Sequence, residues 1–414
     1  MKKLFSFGVL LVALFLLSAC ESGNEETEAL QQEIEQMQQA IESIQLVLSD
    51  KSATITELEE DLQALESRIY DGQVTFSVTT DDGLMARNVL FKESEEKTTF
   101  ELLNEAYDIE YTEFDFGIMI DSVEGLESLP GSFIQISKNN TPLEVGISDV
   151  SYEAGDHFHF ERMWYDGDAQ MVYETLELFL TNHVDDFINP ESLDMNVVLG
   201  LYHLDALEDY MVEVSEEDLK GDVSGLMNAI LMNRALGEST DDLKVLLDEE
   251  PLPSHIYPAS LYLLALNADD ESLREDYLDK VDALDLESTG HDSLVLSALA
   301  LSMLGTQEAL TLKDELVDHV SNNPTDHLYG ENATSYAWVL MLYGYEAIAL
   351  EEGFESGTML DTIFEYHDDN GAFYYTLESE DPDLMFTTPQ MFLALSYYYS
   401  TVESTATHPF MIGE

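Results

Sequence analysis

The spacing of apolar residues along the chain changes three times, and each change marks a different kind of element. Behind Lys2 and Lys3, Leu4 to Leu17 form an uncharged apolar run. From Glu25 to Ile69 the apolar positions fall into a heptad. Ile34, Ile41, Leu48, Ile55, Leu62 and Ile69 recur every seven residues, and Leu30, Met37, Ile44, Leu58 and Leu65 fill the positions between, with only Lys51 breaking the series. No Pro or Gly interrupts this stretch, so it predicts a coiled-coil helix of about 60–70 Å. A solitary amphipathic spacer satisfies the same pattern. The flanking charges are mostly acidic, and Asp61 would face Glu66 in a parallel pair, so they specify neither partner nor oligomeric state.

Asp71-Gly72 ends the heptad and the period drops to two. Val74, Phe76 and Val78 alternate with polar residues up to the turn Asp81-Asp82-Gly83. A helix is expected over Thr98 to Tyr107, then short strands at Phe116 to Ile120, Phe133 to Ile136, Leu143 to Val145 and His157 to Phe160. Pro130-Gly131, Lys138-Asn139-Asn140 and Ala154-Gly155-Asp156 supply the turns between them. Residues 72–168 therefore read as a small α+β domain with a β-grasp-like mix of elements.

From Met171 onward the helical period returns. Apolar stretches rich in small residues lie at Leu193–Leu207, Leu226–Leu236, Tyr257–Leu266, Ser293–Leu304, Ser335–Leu350 and Pro389–Tyr399. Amphipathic stretches alternate with them at Thr240–Leu247, Leu273–Leu284, Leu310–Val320 and Met359–Tyr366. A buried helix followed by a half-exposed one is a helical-hairpin repeat. It suits an α/α toroid over 169–405, with an open superhelical array as the competing arrangement and 406–414 left as a tail. The fold class is thus multidomain: an N-terminal coiled-coil helix, a small α+β domain, then an all-α α/α toroid.

Charge and cysteine usage narrow the function. Against 85 acidic residues stand 15 basic ones, a formal net charge of −70. Phosphate contacts need clustered Lys and Arg, so nucleic acid is excluded as a partner. Attraction to anionic headgroups is excluded for the same reason, so any membrane link must be covalent. Cys20 is the only cysteine, and it follows Leu17-Ser18-Ala19 directly after the apolar run. A basic start, a short apolar core and small residues before the cut make residues 1–19 a signal peptide. The run is shorter than the ~20 residues that span a bilayer. Cleavage between Ala19 and Cys20, with diacylglycerol on Cys20, makes the chain a lipoprotein of the extracytoplasmic membrane face. The anchor and stalk then occupy 20–71, and residues 30–69 offer a route to a homo-oligomer.

Two resemblances bear on the ligand. Thr98-Thr99-Phe100-Glu101-Leu102-Leu103, Phe116-Gly117 to Ile120, Val123-Glu124-Gly125-Leu126, Phe133 to Asn140, Gly146 and Gly155-Asp156-His157-Phe158-His159-Phe160 follow one another in a recognisable order. In that order they resemble the small β-rich domain at the C-terminus of transcobalamin and in many bacterial surface lipoproteins. Phe133 stands near the Trp of that family and Asn140 in place of its Gly. In animal relatives those loop residues help to form the ligand-facing edge, which makes Phe133, Asn139 and Asn140 candidate ligand residues. Farther on stand Tyr257-Pro258-Ala259-Ser260-Leu261, Asn370-Gly371-Ala372-Phe373-Tyr374 and Thr387-Thr388-Pro389-Gln390. These resemble the prenyltransferase and terpene-cyclase toroids, to which the α-domain of transcobalamin belongs. Together the resemblances imply a binding lipoprotein that captures a cobamide-like or other small organic ligand at the cleft between β domain and toroid. A structural or adhesive surface protein, binding proteins or wall polymers, uses the same parts.

Enzymatic chemistry finds little support in the residues. The zinc prenyltransferases need a thiolate ligand and no Cys follows Cys20. No DxDD motif occurs; His183-Val184-Asp185-Asp186 and His367-Asp368-Asp369 come closest and lack the first Asp. There is no phosphate loop, GxSxG elbow, HExxH helix or EF-hand loop. No catalytic residue, metal site or required cofactor is expected, a cobamide entering as ligand only. His157 and His159 would share one face of a strand beside Glu161; the plain reading is the solvated polar face of an edge strand with Phe158 and Phe160 in the core, and the same spacing could ligate a metal or a corrinoid cobalt. Tyr374 and Tyr375, in a loop between helices, are the aromatics best placed for binding. If Cys20 carries the anchor, Cys20→Ala leaves the protein in the soluble fraction on cell fractionation; a variant that stays fully membrane-bound rejects the lipoprotein reading.

Overall fold

The computed structural model describes residues 37–58 in part, then 70–80, 83–114, 117–143, 145–188, 193–210, 222–266, 271–354, 356–402, 404 and 407–410. Ala19, Cys20, the signal segment and the heptad positions beyond 37–58 lie outside the described residues. Within 37–58 the described positions are helical, and Met37, Ile41, Ile44, Val47, Leu48, Ile55 and Leu58 are each 53–61% exposed. Among the described residues no helix is long and apolar enough to cross a membrane. The described residues fall into two compact units, one running up to residue 125 and resuming over 136–161, the other of 126–135 and the described residues from 162 on.

The strands, most of them in the first unit, form a small mixed α/β region. Strands β1 (Gly72–Thr80) and β2 (Gly83–Phe91) pair antiparallel from Gly72↔Phe91 to Thr80↔Gly83. Helix α1 (Thr99–Ala106) follows, then β3 (Ile109–Phe114), β4 (Gly117–Val123), β5 (Leu126–Glu127), β6 (Ser132–Lys138), β7 (Thr141–Pro142) and β8 (His157–Trp164). One sheet runs β2-β1-β8-β6-β7 and the other β3-β4-β5. The alternation in β1 sends Val74, Phe76 and Val78 to one face, where they are fully buried with Phe158 and Phe160 of β8. The rings of Phe76 and Phe158 stack at 5.5 Å. A capping box, Thr98 with Glu101, starts α1, which turns Leu102, Leu103 and Ala106 inward. Tyr107 then donates its hydroxyl to the Phe76 carbonyl at 3.0 Å and ties the helix end to the sheet.

Strands β2, β3 and β5 come in addition to those the sequence pattern foresees, and one foreseen strand is displaced. The stretch expected at Leu143 to Val145 pairs earlier, with Ser137↔Pro142 and Lys138↔Thr141. The turn explains the shift: Asn139 (φ 50) and Asn140 (φ 65) both take the left-handed conformation of a two-residue hairpin, which brings residues 141–142 beside β6. Asn accepts that conformation at little cost, so no Gly is required there.

The second unit is helical: α2 (Gly167–Asn182), α3 (Val184–Phe187), α4 (Met195–His203), α5 (Val223–Ala235), α6 (Asp241–Asp248), α7 (Ile256–Leu266) and α8 (Glu271–Asp282) come first. They are followed by α9 (His291–Leu304), α10 (Gln307–Asn322), α11 (Ala333–Glu346), α12 (Met359–Phe364) and α13 (Thr387–Thr401). Helices α4, α5, α7, α9, α11 and α13 are buried nearly all round, as their uniformly apolar sequences require. Each packs on the next in that order, and α13 packs back on α4. Helices α2, α6, α8, α10 and α12 flank them with one apolar face inward.

Close approach between α13 and α4 needs Gly200, where a β-carbon would meet the Phe392 ring at 2.5 Å. Phe392 also stacks on Phe179 of α2 at 4.1 Å. Gly371 serves the same region from the Asn370-Gly371 turn. Its φ is +88°, and a side chain there would strike the backbone of Leu178 and Phe179.

Residues 407–410 are not a loose tail. Phe410 is fully buried, its ring parallel to Trp338 within 16° at 6.2 Å, and the Tyr397 hydroxyl donates to the Thr407 carbonyl at 2.6 Å. Two histidines hold the segment on either side. His203 meets the Pro409 carbonyl at 3.0 Å, and His408 meets that of Leu299 at 2.9 Å. Burial pulls both imidazoles down to about 4, so each is neutral and donates Nε2–H. Phe410→Ala should cost about 3–5 kcal/mol, as for other fully buried aromatics. A thermal or urea melt of the purified chain measures this, and a melt unchanged from wild type would place Phe410 outside the core.

Candidate functional site

The expected site residues fall in two places. In the first unit, parallel pairing of β1 with β8 sets Thr75 beside His157 and Ser77 beside His159. The side chains opposite Phe158 and Phe160 therefore meet Ser77, which is almost fully buried. Its Oγ lies 2.6 Å from His157 Nε2 and 2.8 Å from His159 Nδ1. One hydroxyl has one proton, so when both rings are neutral Ser77 donates to one imidazole and accepts from the other. Thr79 (3.4 Å) and Glu161 (3.7 Å) stand at the remaining nitrogen of His159. Sequence spacing foresees the shared face of His157, His159 and Glu161. It misses Ser77, although the alternation of β1 puts that residue on the same polar face.

Asn139 is committed to holding the hairpin. Its amide donates to Asp156 at 2.8 Å and its carbonyl oxygen accepts from the His157 N–H at 2.9 Å, locking the hairpin to the start of β8. Burial raises the Asp156 pKa, but Lys138 at 2.7 Å, Asn139 and the Glu153 N–H outweigh it and hold this carboxyl below its usual range. Asn140 and Phe133 are exposed, and no described contact joins either to the histidine pair.

The second place is one end of the helical unit. Tyr375 is 39% exposed and Tyr374 half-buried, so the pair divides between surface and interior. The Tyr375 carbonyl accepts from the Ala333 N–H at 3.0 Å, and the Thr334 and Thr387 hydroxyls meet at 3.0 Å. These bonds join the loop before α11 to the loop before α13. Together the loops expose Leu328, Tyr329, Tyr375, Leu377, Met385 and Phe386, between 39% and 75%. Asp326 and Asp383 shape the two loops. Asp383 accepts from the backbone N–H groups of Met385, Phe386 and Thr387. Asp326 does the same for Leu328 and Tyr329 at 2.7 and 2.8 Å.

Carboxylates and phenols gather below this apolar rim. The Tyr375 phenol is raised by burial and by the surrounding Asp326, Tyr329, Asp292 and Asp383. Tyr257, half-buried, is raised by burial and by Asp292 and Asp194. Asp292 is itself raised by burial, with Asp326 adding to the shift. Asp194 caps α4 by accepting from Asn196 and Val197, yet burial still raises its pKa. An end of this kind can accept hydrogen bonds and cover an apolar body. Sequence reasoning reached Tyr374 and Tyr375 but not Asp326 or Asp292, since abundant acidic residues hide any particular one.

No family model and no curated protein matches the chain. One solved structure that it resembles, described as a "putative metal binding protein" from Ruminococcus gnavus ATCC 29149, is 17% identical over 23% of this chain and 100% of the other, with a TM-score of 0.20. A likeness of that size says nothing about the chemistry here.

Asp194 yields a pH test. A raised carboxyl pKa means the folded chain holds its proton more tightly than the unfolded chain. That contribution is fully present in acid, below the ordinary value of 3.8, and is lost as pH rises through the raised pKa. Asn caps helices as well as Asp does. Asp194→Asn should therefore raise the melting temperature at neutral pH, the gain vanishing toward about pH 4; a melting temperature lowered at neutral pH would contradict the burial effect.

Proposed function

We propose that this chain is a lipid-anchored binding protein of the extracytoplasmic membrane face that captures a compact organic ligand at the loop rim of its helical unit. The observation that carries the reading is the rim itself. Exposed apolar patches bounded by polar groups mark binding surfaces, and Leu328, Tyr329, Tyr375, Leu377, Met385 and Phe386 lie on two joined loops over Asp292, Asp326 and Asp383. Tyr and Phe there supply contact area with little side-chain entropy to lose.

The other parts serve this role. Cys20 holds the chain to the bilayer, and the heptad lifts the folded units away from it. The uncovered stripe at Met37, Ile41, Ile44, Leu48, Ile55 and Leu58 supports its pairing with another helix as a coiled coil, because so much apolar surface is costly in water. The return of α13 onto α4 supports a closed α/α toroid over an open array. Phe410 and Trp338, both buried, stack on each other inside the helical unit, which favours the rim over the interior as the place for a ligand. The ligand class suggested by resemblance is a cobamide. Contact through the apolar rim suits it better than cobalt ligation by His157 or His159, whose Nε2 and Nδ1 are already engaged by Ser77.

Calorimetry and absorbance titration of the detergent-solubilised chain with cyanocobalamin and related corrinoids test the reading. Saturable binding is expected, weakened at least about tenfold by Tyr375→Ala with Phe386→Ala, since hot-spot aromatics cost more than ~1.4 kcal/mol when truncated. Binding that the double variant leaves unchanged would reject the rim. No binding at millimolar corrinoid would reject the cobamide, and capture of wall polymer through the same residues would mark an adhesin instead.

A further inference from the structure

A cluster that the ligand rim does not use lies beside it in the helical unit. Glu287 sits in the short 3-10 turn Leu286–Ser288 ahead of α9. His319 comes from the last turn of α10, and His327 from the loop that follows. These three side chains each bring a ligating atom within 4.8 Å of the other two. His327 Nε2 stands 3.9 Å from Glu287 Oε2, and the rings of His319 and His327 are 5.4 Å apart. We propose that Glu287, His319 and His327 bind one divalent transition-metal ion of the zinc type, through three protein ligands and one open position.

Three features support the assignment. First, His319 Nε2 is buried with no hydrogen-bond partner. His183, His291 and His367 each also have an unpartnered ring nitrogen, but at His319 two further donor groups stand within reach, and a bound cation would supply the missing partner. Second, the loop that carries His327 is fixed. Asp326 is almost fully buried, and besides holding Leu328 and Tyr329 it accepts from the His291 N–H at 2.6 Å and the Ser335 hydroxyl at 3.0 Å. His327 therefore projects from a turn pinned at both carboxylate oxygens, the kind of outer support that orients metal ligands. Third, the donor set discriminates. Two imidazoles and one carboxylate suit Zn²⁺, whereas Ca²⁺ and Mg²⁺ prefer oxygen throughout.

The His327–Glu287 distance is compatible with closure by side-chain rotation. Zinc bonds of about 2.0–2.1 Å in a tetrahedron put neighbouring ligand atoms roughly 3.4 Å apart. From 3.9 Å, the His327–Glu287 pair closes with half an ångström of movement, and both side chains are solvent-accessible enough to move. His291 is not a ligand. Its Nε2 meets the Asn323 carbonyl at 2.6 Å, and its ring packs 6.1 Å from that of His327. The fourth position falls to water or to a donor atom of an incoming molecule. A net charge of −70 raises the cation concentration around the whole chain, which assists loading but also attracts ions to carboxylates without selectivity.

That background decides the experiment. The full-length chain in detergent is titrated with Zn²⁺ against a chromophoric chelator in millimolar Mg²⁺, which saturates unselective carboxylates. One tightly held Zn²⁺ per chain is expected. His319→Ala and His327→Ala should each weaken it by at least about 10–100-fold, the loss known even for outer-shell partners; Glu287→Gln should weaken it less. His255→Ala, an exposed histidine outside the cluster, should leave binding unchanged. Co²⁺ in place of Zn²⁺ adds a visible ligand-field band that the two histidine variants lack, while unaltered circular dichroism shows that they fold. Zinc displaced by millimolar Mg²⁺, or held equally by wild type and both histidine variants, would overturn the proposal.

Discussion

Each buried helix of the helical unit is enclosed on nearly every side, and that single constraint organises the rest. Such a helix cannot end a stack, because its outer face would meet water at roughly 25 cal/mol per Å². An arrangement in which every buried helix has two buried neighbours meets the constraint, and α13 returning to α4 completes it. Phe392 lies over the bare backbone of Gly200 at that contact, so closure depends on the absence of one β-carbon. The flanking helices then need only one apolar face, and Phe410 fills space beside Trp338.

The acidic balance acts on a different level. It has little to do with the apolar contacts inside either unit and much to do with the exterior, where few basic groups are available to pair. The described cations are used with economy. Arg234, almost fully buried, donates to the carbonyls of Leu264 and Ala265 at the end of α7, where a cation also complements the helix dipole. Lys313 bridges α10 to α11 through Glu346 at 2.8 Å. Carboxylates, by contrast, are cheap, and the chain spends them as caps: Asp166, Asp194, Asp222, Asp326 and Asp383 all accept backbone N–H groups. Several line the same end of the helical unit, so capping and the electrostatics of the rim are one arrangement.

The histidines divide by burial and not by sequence. His203 and His408 are neutral struts that tie residues 407–410 into the core, whereas His157 and His159 share a hydroxyl on a half-buried strand face. His319 and His327 differ again, being partly accessible, with the Nε2 of His319 lacking a hydrogen-bond partner. The same side chain thus packs, bridges or is free to ligate according to the groups within about 3 Å of it.

Period and composition by themselves determined much of this protein. The switch from seven to two to the helical spacing marked the order of elements, and uniform apolarity separated α4, α5, α7, α9, α11 and α13 from their amphipathic neighbours. Strand alternation put His157, His159 and Glu161 on one face, because that relation is local and follows from backbone geometry. Other relations needed the tertiary structure. Ser77 reaches His157 across eighty residues, His327 meets Glu287 across forty, and Phe410 reaches Trp338 from beyond the last helix. No local period records such distances. The hairpin at Asn139-Asn140 was the intermediate case, since its turn residues were legible but the left-handed backbone that moved the pairing to Thr141–Pro142 was not.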